Sequence, residues 1–475
     1  MRLLSGLGGI EEIETGLRWE AAALASEVGR RAAELSRLKI GRGSRVAICH
    51  GGSAAFFADL LAVWSAGATA VCLDSALTPS ELTNVMAFAR PAVALVSRHS
   101  VATGAVPAVD LAHAPCGVAP AGPHPEAADP ALVLFTSGTT GTPKGVVLSF
   151  GALEARISAN ILQIGEGPLT RALVTLPSHF GHGLIGNALT PLLAGGTIVL
   201  PPAGMALAKD LARIIDRHRI GFMSSVPALW RLALRLGAPP QQDSLKRVHV
   251  GSAPLSAALW SKVAEWSRCE TVNCYGMTET ANWFAGASSR HGTAEGLVGA
   301  PWNGATAVRN EDGGVEANGE GEILVQSPAL MSGYLDRPDL TADVMGGDWY
   351  HTGDRGRIDE TGRIWLTGRI KDEINRAGFK VQPAEIDVLL ETHPAVAEAC
   401  VFAVSDPVGG ESVGAAVRLR PGAGASAEVL RAWCRERLRR EAVPEHWFIV
   451  DEIPRSARGK LSRDAVRRML AKDAP

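Results

Sequence analysis

A loop rich in glycine and hydroxyl side chains follows directly after an apolar run, and it constrains this chain more than any other feature. The apolar run covers residues 132–135, and the loop continues as TSGTTGTPKG over residues 136–145. An uninterrupted apolar run is typical of a parallel strand that is covered on both faces. Glycines let backbone N–H groups approach an anion, hydroxyls donate hydrogen bonds, and Lys144 adds positive charge. The segment predicts a polyphosphate-binding loop, although the GxxxxGKS/T spacing of a Walker A loop is absent.

Short apolar runs alternate with longer helical stretches through the first three quarters of the chain. We predict strands at residues 45–49, 68–73, 92–96, 132–135, 172–176, 197–200 and 248–250. This alternation favours an α/β fold, with a large N-terminal domain of packed α/β subdomains and parallel-rich sheets. The Pro- and Ala-rich residues 105–130 are typical of a surface crossing or linker.

The pattern changes after about residue 300. Turn signals at 311–314 and 360–363 separate short strands such as 322–326 and 363–366, which we interpret as a small β-barrel-like part. The last hundred residues or so predict a small α+β domain. Its predicted elements are a helix that begins at Pro383, strands at 399–404 and 447–450, and a helix capped by Ser426 with Val429, Leu430, Trp433, Cys434 and Leu438 on one face.

Composition excludes several classes of protein. The 475 residues carry 47 Lys plus Arg against 49 Asp plus Glu and are 46% apolar, which fits neither a nucleic-acid-binding surface nor a disordered acidic chain. The best candidate for a membrane span, residues 51–73, contains Asp59 and predicts a buried helix followed by a strand. Seven cysteines without a CxxC pair predict buried thiols. Since Glu11 and Glu12 precede any long apolar stretch, we expect no signal peptide and a cytoplasmic protein.

Five motifs share an order and spacing that we can compare with known families. They are TSGTTGTPKG at 136–145, YGMTE at 275–279, YHTGD at 350–354, GRIKDEIN at 368–375 and PRSARGK at 454–460. In these motifs the chain resembles the adenylate-forming superfamily of acyl-CoA synthetases, peptide-synthetase adenylation domains and luciferases. The resemblance runs from about residue 40 to the end. It implies an AMP-binding domain at 1–368 and a small mobile C-terminal domain at 369–475.

The resemblance also implies a site for ATP and Mg²⁺. Glu279 would hold Mg²⁺ between phosphate oxygens, as suits a carboxylate, and Thr139 would face the same ion. Tyr275 would stack on adenine, Asp354 would accept both ribose hydroxyls, and Arg369 would contact ribose and phosphate. The other residues implied in nucleotide binding are Thr136, Ser137, Gly138, Thr140, Lys144, Gly251, Ala253, Pro254, Gly276 and Thr278.

Two lysines near the C-terminus receive roles by the same resemblance. Lys460 would neutralise charge between the substrate carboxylate and the α-phosphate as the transition state forms. Lys371 would be the hinge about which the C-terminal domain rotates between two half-reactions. After that rotation, the segment 378–381 would meet a thiol acceptor while the cleft excludes water.

The acid pocket is predicted from the segment LPSHFGHGL at 176–184, together with aromatic and sulfur-containing side chains elsewhere. Its candidate residues are His179, Phe180, His182, Phe222, Met277 and Trp283, with Ser224 and Phe284 nearby. The sequence leaves open which of the two histidines faces the substrate. No aspartate is available here to pair with a substrate ammonium, which lowers the expectation of an α-amino acid. An aryl or medium-length apolar carboxylic acid fits best.

Several acceptors remain open for the activated acyl group. Residues 375–386 resemble the equivalent stretch of acyl-CoA synthetases, which makes coenzyme A the leading acceptor. A separate acyl carrier protein and an amine are the alternatives. A silent nucleotide- or acyl-binding protein is disfavoured because pure binding would not need Lys460. A phosphotransferase would release ADP, whereas this chemistry releases AMP and pyrophosphate.

Overall fold

A computed structural model describes residues 6–97, 103–115, 125–136, 144–202, 206–376, 379–406, 410–455 and 461–472. Within those ranges the protein forms 27 strands, in three sheets, and 13 α-helices. Five residues of the predicted site lie outside the described residues, namely Ser137, Gly138, Thr139, Thr140 and Lys460.

The elements up to residue 202 are β1 (Ile10–Glu12), β2 (Arg18–Trp19), α1 (Ala21–Arg37), β3 (Arg45–Ile48), α2 (Ala54–Ser65), β4 (Thr69–Cys72), α3 (Pro79–Ala89), β5 (Val93–Leu95), β6 (Ala108–Val109), β7 (Pro130–Thr136), β8 (Lys144–Ser149), α4 (Phe150–Ile164), α5 (Glu166–Leu169), β9 (Arg171–Val174), a π-helix (His182–Leu189), α6 (Thr190–Leu193) and β10 (Thr197–Leu200). The elements from 206 to 369 are α7 (Ala206–His218), β11 (Phe222–Ser225), α8 (Pro227–Leu236), β12 (Arg247–Gly251), α9 (Ala257–Ser267), β13 (Glu270–Met277), β14 (Asn282–Ser288), β15 (Leu297–Pro301), β16 (Ala305–Arg309), β17 (Val315–Glu316), β18 (Gly319–Gln326), β19 (Gly333–Tyr334), α10 (Pro338–Val344), β20 (Met345–Gly346), β21 (Trp349–Ile358) and β22 (Ile364–Arg369). The remaining elements are β23 (Ile374–Arg376), β24 (Phe379–Val381), α11 (Pro383–Glu391), β25 (Val396–Asp406), β26 (Gly410–Leu419), α12 (Ala427–Arg435), β27 (His446–Ile449) and α13 (Arg463–Lys472).

The first sheet has seven strands in the order β19-β8-β7-β4-β3-β5-β6, with parallel pairing from β7 to β6. Helix α2 begins where the Ser53 hydroxyl accepts the Phe56 N–H at 3.2 Å, and ten of its twelve residues are buried. The prediction of a buried helix and strand at 51–73 is therefore confirmed. None of the described helices is long and apolar enough to span a membrane.

The second sheet has fifteen strands and changes character along its length. Strands β1, β9, β10, β11, β12 and β13 pair in parallel, and β14 then pairs antiparallel with β13. Strands β15–β18 and β20–β22 continue this edge because β15 pairs with both β14 and β22, whereas β19 pairs with β8 in the first sheet. The predicted β-barrel-like part is wrong: within the described residues these strands extend an open sheet and do not close on themselves.

The third sheet contains only residues from Ile374 onward, and it encloses its own buried apolar cluster. The predicted cap of α12 is confirmed, since the Ser426 hydroxyl accepts the Val429 N–H. The predicted apolar face is partly wrong. Leu430 and Cys434 are buried, but Val429 is 50% exposed because it lies about 100° around the helix from Leu430.

Six cysteines lie in the described part of the chain, and all six are free thiols. Five are buried and Cys269 is partly exposed, whereas Cys116 lies outside the described residues. Burial raises the pKa of the Cys49 thiol to about 11, which keeps it protonated and unreactive at neutral pH. The interpretation of the cysteines as buried thiols is therefore confirmed for the five buried ones.

Glu11 of β1 ties together elements that are distant in the chain. Its carboxylate accepts from Arg18 at 2.7 Å, from Arg171 of β9 at 2.6 Å and from His218 at the end of α7 at 2.7 Å. Burial alone would raise the pKa of Glu11, but the hydrogen bonds from Arg171 and His218 outweigh burial and lower it from 4.5 to about 2.

Because the folded-state pKa of Glu11 is depressed, its ionised form stabilises the fold above about pH 4.5, and this contribution is lost as pH falls towards 2. We expect Glu11→Gln to lower the free energy of unfolding at pH 7 by about 2–3 kcal/mol and to flatten its acid dependence. Urea unfolding between pH 3 and 7 measures both effects. The exposed Glu14→Gln is the matched control, and equal acid dependence in both variants would contradict the assignment.

Candidate active site

The two ends of the predicted phosphate-binding loop are held together by a β-ladder. Thr136 at the end of β7 pairs with Lys144 at the start of β8, and the Thr136 hydroxyl donates to the Lys144 carbonyl at 3.5 Å. The predicted buried strand before the loop is present as β7. Residues 137–143 lie outside the described residues. The ladder places Lys144 at the edge of the first sheet where strand β7 has its carboxyl end.

Tyr334 is a site residue that the sequence reasoning missed. It lies in β19, which pairs with β8, and the Lys144 ammonium lies 5.5 Å from the centre of its ring. Its hydroxyl donates to the Glu279 carboxylate at 2.9 Å. One side chain thus contacts the lysine of the predicted phosphate loop and the carboxylate predicted to hold Mg²⁺. The scarcity of tyrosine, three in the whole chain, was the available signal.

The YGMTE motif forms the end of β13 and a tight turn. At Gly276 a Cβ would lie 2.1 Å from the Asn282 carbonyl oxygen, so only glycine fits where β13 and β14 approach each other. Residues Thr278–Thr280 form a short 3₁₀ helix, and the Met331 N–H donates to the Glu279 carbonyl at 2.8 Å. These bonds fix the backbone that carries Glu279.

Asp354 is buried, and both of its carboxylate oxygens are engaged. Tyr275 donates to Oδ2 at 2.6 Å, and Arg369 Nε forms an ion pair with Oδ1 at 2.7 Å. Asp354 and Arg369 are also ladder partners on β21 and β22. Attraction to Asp354 raises the pKa of Arg369, whereas burial and the charge of Asp354 raise the pKa of Tyr275 well above its ordinary value. The structure thus brings together three residues predicted to bind the nucleoside.

No group of three or more His, Cys, Asp or Glu side chains in the described ranges is arranged to hold a metal ion. This arrangement fits Mg²⁺, which proteins commonly bind through one or two carboxylates while substrate phosphates and water complete its octahedron. Glu279 supplies such a carboxylate, and its contact with Tyr334 leaves one oxygen for the ion.

The segment 251–254 begins at the end of β12. A Cβ at Gly251 would lie 2.9 Å from the Cys274 carbonyl oxygen, which explains glycine at this crossing from β12 to β13. Ser252 has a φ of +67°, an uncommon conformation for a non-glycine residue, and its hydroxyl contacts His182 at 2.7 Å. Ala253 follows partly exposed, and Pro254 is exposed.

The predicted acid-pocket residues His182, Phe222 and Trp283 lie together. His182 begins the π-helix, an element that often marks functional sites, and its ring centre is 5.1 Å from that of Trp283. His182 Nε2 lies 2.6 Å from the Ser224 hydroxyl, which itself donates to the His249 carbonyl. Ser224 therefore accepts from Nε2 and Ser252 donates to Nδ1, so a neutral His182 satisfies every bond.

A buried histidine that the sequence reasoning missed completes this aromatic cluster. His249 lies 4.7 Å from Trp283 and 5.1 Å from Phe222 between ring centres. Burial, followed by the charge of Arg247, lowers the pKa of His249 well below its ordinary value. The ring of Trp302 lies 5.6 Å from that of His249. The cluster is therefore aromatic, and its role as the acid pocket stays a prediction.

The other predicted pocket residues take different positions. His179 lies 3.3 Å from the Asp74 carboxylate, away from the partners of His182. The ring of Phe180 lies 6.1 Å from that of His182 and is buried. Met277 packs partly buried against the apolar cluster that contains Tyr275. The structure brings His182 into ring contact with Trp283.

The predicted hinge follows β22. Lys371 is exposed in a 3₁₀ turn at Ile370–Asp372, between the last strand of the second sheet and β23 of the third. Among the described residues, three ion pairs join the parts before and after it: Arg231 to Glu391 at 2.7 Å, Glu311 to Lys380 at 2.9 Å and Arg355 to Glu373 at 3.9 Å.

A cavity of about 450 Å³ lies between the same two parts of the chain, where β21 and β22 face β24 and α11. Charged side chains dominate its lining, together with the half-exposed Phe379. Arg355 lines the cavity, so strand alternation puts it on the opposite face of β21 from Asp354.

Comparison with known proteins identifies the family. Residues 13–335 match the AMP-binding enzyme family, and residues 385–460 match the AMP-binding enzyme C-terminal domain. The chain belongs to the AMP-binding enzyme family. The predicted resemblance to adenylate-forming enzymes is thereby confirmed, as is the expected pairing of a large N-terminal α/β domain with a small C-terminal domain.

Curated relatives in this family include several ligases. Feruloyl-CoA synthase of an Amycolatopsis species is 31% identical over 94% of this chain and 93% of its own length. Oxalate–CoA ligase of Arabidopsis thaliana is 32% identical over 72% of this chain and 68% of its own length. A fatty acid–acyl-carrier-protein ligase, ScoC of Streptomyces coeruleorubidus, is 34% identical over 73% and 68%.

Solved structures of the same fold include O-succinylbenzoate coenzyme A synthetase (MenE) of Bacillus subtilis in complex with ATP and a magnesium ion. It has a TM-score of 0.85 and 26% identity, over 97% of this chain and 96% of that one. The amide bond synthetase McbA of Marinactinospora thermotolerans has a TM-score of 0.87 and 29% identity, over 98% of both chains.

All three tyrosines of this AMP-binding enzyme surround the site, and burial is the first reason that each has a raised pKa. We expect the native protein to form no tyrosinate near pH 10, where tyrosine in an unfolded chain ionises at about 10. Because the unfolded state then loses protons that the folded state keeps, stability should fall as pH rises above about 10.

Ultraviolet absorbance of tyrosinate measures this directly. The same titration in concentrated guanidinium is the control and should show all three groups ionising together. Ionisation of any tyrosine near pH 10 in the folded protein would contradict the buried network.

Proposed function

We propose that this enzyme activates a carboxylic acid with ATP, forming an acyl-adenylate and pyrophosphate, and then transfers the acyl group to coenzyme A. The observation that carries the proposal is the placement of Tyr275 and Arg369 on Asp354, with Glu279 four residues after Tyr275 in the turn that follows. Membership of the AMP-binding family supports the same chemistry.

The nucleotide side of the site follows from charge and hydrogen bonding. Asp354 accepts a hydrogen bond from Tyr275 and pairs with Arg369, and the two oxygens of a carboxylate, with about four acceptor positions, suit it to accept from ribose hydroxyls as well. Lys144 and Arg369 provide positive charge for phosphates. Mg²⁺ bound by Glu279 would spread the charge of the phosphate oxygens. The ring of Tyr275 would stack on the adenine. Gly276 and the segment 251–254 would flank the base.

The acid side is the aromatic cluster next to His182. The aromatic side chains of Phe222 and Trp283 favour an aryl or medium-length apolar acid over an α-amino acid, since no carboxylate in the cluster would pair with an ammonium. His182, with both ring nitrogens occupied by serine hydroxyls, would shape this pocket and not act as a general base.

Transfer requires the C-terminal domain to move about Lys371. The exposed turn at Ile370–Asp372 supports a rotation, which would break the three ion pairs across the joint. The cavity beside Phe379 and Lys380 supports approach of the acceptor from the side of β24. In this proposal the N-terminal domain covers residues 1–368 and the mobile C-terminal domain covers residues 369–475.

A pyrophosphate-release screen over a panel of carboxylic acids tests the proposal, with each acid assayed with and without coenzyme A. We expect acid-dependent pyrophosphate and AMP, and thioester only when coenzyme A is present. Adenylate without thioester, with transfer to a phosphopantetheine-loaded carrier or an amine, would assign one of the alternative acceptors. ADP as product, or no acid-dependent release, would overturn the proposal.

Lys460→Ala is expected to reduce acid-dependent pyrophosphate release by about a thousandfold or more, because the developing charge between carboxylate and α-phosphate then lacks its cation. ATP binding, measured by calorimetry, should change little. Arg458→Ala, in the same PRSARGK motif, is the matched control and should retain activity. Adenylate formation by Lys460→Ala at the wild-type rate would remove Lys460 from the proposed chemistry.

Tyr334→Phe removes one hydroxyl from the contact with Glu279 and leaves the ring beneath Lys144. We expect a weaker apparent affinity for Mg²⁺ and a roughly tenfold lower kcat/KM for ATP, since a hydrogen bond to a charged group contributes about 1.5–3 kcal/mol. Titration of magnesium in the pyrophosphate-release assay measures the affinity for Mg²⁺ and the kcat/KM for ATP. An unchanged magnesium dependence would show that Tyr334 does not position Glu279.

A further inference from the structure

Arg156 is a buried cation without a carboxylate partner. Its side chain is 0% exposed, and its only hydrogen bond within the described residues runs from Nε to the Thr280 carbonyl at 3.1 Å. Nη1 and Nη2 have no acceptor. Burial lowers the pKa of Arg156 to about 9, so the guanidinium remains charged at neutral pH.

The other deeply buried arginine behaves differently, which shows that the lack of a partner is particular to Arg156. Arg31 is 2% exposed and is paired with the Asp59 and Glu27 carboxylates. Burial of a charge costs several kcal/mol unless a counter-charge or several hydrogen bonds compensate it. Arg31 has that compensation inside the chain, whereas Arg156 does not.

Arg156 lies where three elements of the site meet. It is on α4, its Nε contacts the turn that carries Glu279, and Asn160 one helical turn later donates to Thr190 at the end of the π-helix. The Oδ1 of Asn160 is also without a partner, but a neutral amide oxygen does not balance a positive charge.

Two further buried donors without acceptors lie on the same side of the site. They are Asn282 Nδ2 and Trp283 Nε1, directly after the turn at Thr280. Both side chains abut the π-helix, because a Cβ at Gly186 would lie 2.0 Å from Asn282 Nδ2 and 2.7 Å from Trp283 Cη2. Trp283 also contacts His182, so these donors adjoin the proposed acid pocket.

We propose that Arg156 lies at the far end of the acid pocket. There it binds a second oxyanion, a carboxylate or sulfonate, on the acid whose first carboxylate this enzyme activates. The inference rests on the proposed function and narrows its substrate to a dianionic acid with an apolar or aromatic middle. The second group would accept charge-assisted hydrogen bonds from Nη1 and Nη2, which are directional and strong. Asn282 and Trp283 provide the remaining donors.

Matched pairs of acids test the substrate class with the wild-type enzyme. Terephthalate is compared with benzoate, and adipate with hexanoate, by kcat/KM for pyrophosphate release. We expect the diacid of at least one pair to be favoured about a hundredfold or more, because a monoacid leaves the buried guanidinium unpaired. Equal values, or preference for the monoacids, in both pairs would overturn the inference while leaving the proposed adenylation intact.

Arg156→Met then tests the residue. This variant should lose the preference for diacids but still release pyrophosphate with the monoacids, and its Tm should rise because an uncompensated buried charge is replaced by an apolar chain. Arg31→Met is the matched control and should lower Tm, because the buried Asp59 carboxylate then loses its arginine partner and keeps its contact with His50. A retained diacid preference in Arg156→Met would overturn the assignment. If Arg156→Met does not fold, Arg156→Lys replaces it and should weaken the diacid preference.

Thermal shift without ATP separates failure of the inference from failure of the proposed function. The favoured diacid should raise the Tm of the wild-type protein but not that of Arg156→Met, and the matching monoacid should raise neither by as much. If no acid releases pyrophosphate, the proposed function fails. The thermal-shift comparison of the two proteins then decides by itself whether Arg156 binds the second oxyanion. An equal Tm shift by the diacid in the wild-type protein and in Arg156→Met, or no shift in either, would overturn the inference.

Discussion

The carboxylate of Asp354 joins parts of the molecule that the chain otherwise keeps apart. A buried carboxylate is costly unless donors surround it, and here Tyr275 from β13 and Arg369 from β22 supply them. The parallel part of the second sheet is thereby tied to its antiparallel extension. The chain enters the predicted hinge immediately after Arg369, so one charge pair positions both the nucleoside-binding groups and the start of the C-terminal domain.

The lysine proposed to contact phosphate and the carboxylate proposed to hold Mg²⁺ come from different sheets. Lys144 begins β8 of the first sheet, whereas Glu279 follows β13 of the second. Tyr334 connects them because β19 is hydrogen-bonded to β8 while its hydroxyl reaches Glu279. The cleft is therefore a junction between sheets, and its geometry depends on a side chain that belongs to neither of the motifs it joins.

The acid side of the cleft combines a satisfied and an unsatisfied polar group. His182 has serine partners on both ring nitrogens, which makes it a fixed wall of the pocket. Arg156, on the other side of Trp283 and the turn at Thr280, has an excess of donors. An excess of buried donors destabilises the protein alone and stabilises a complex with an anion, which is the physical basis of the proposed subsite.

Local pattern in the sequence was enough to predict the strands around the phosphate loop, the buried helix at 54–65 and the cap at Ser426, because strand burial and capping depend on neighbouring residues. The motifs identified the family and brought Tyr275, Asp354 and Arg369 to notice. Only the tertiary structure decided which groups meet: Tyr275 and Asp354 are 79 residues apart, and Arg156 and Thr280 are 124. The same holds for the open sheet in place of a barrel, for His182 beside Trp283, and for the unpaired Arg156. Each depends on the packing of distant segments, and a buried charge is recognisable only when its surroundings are known.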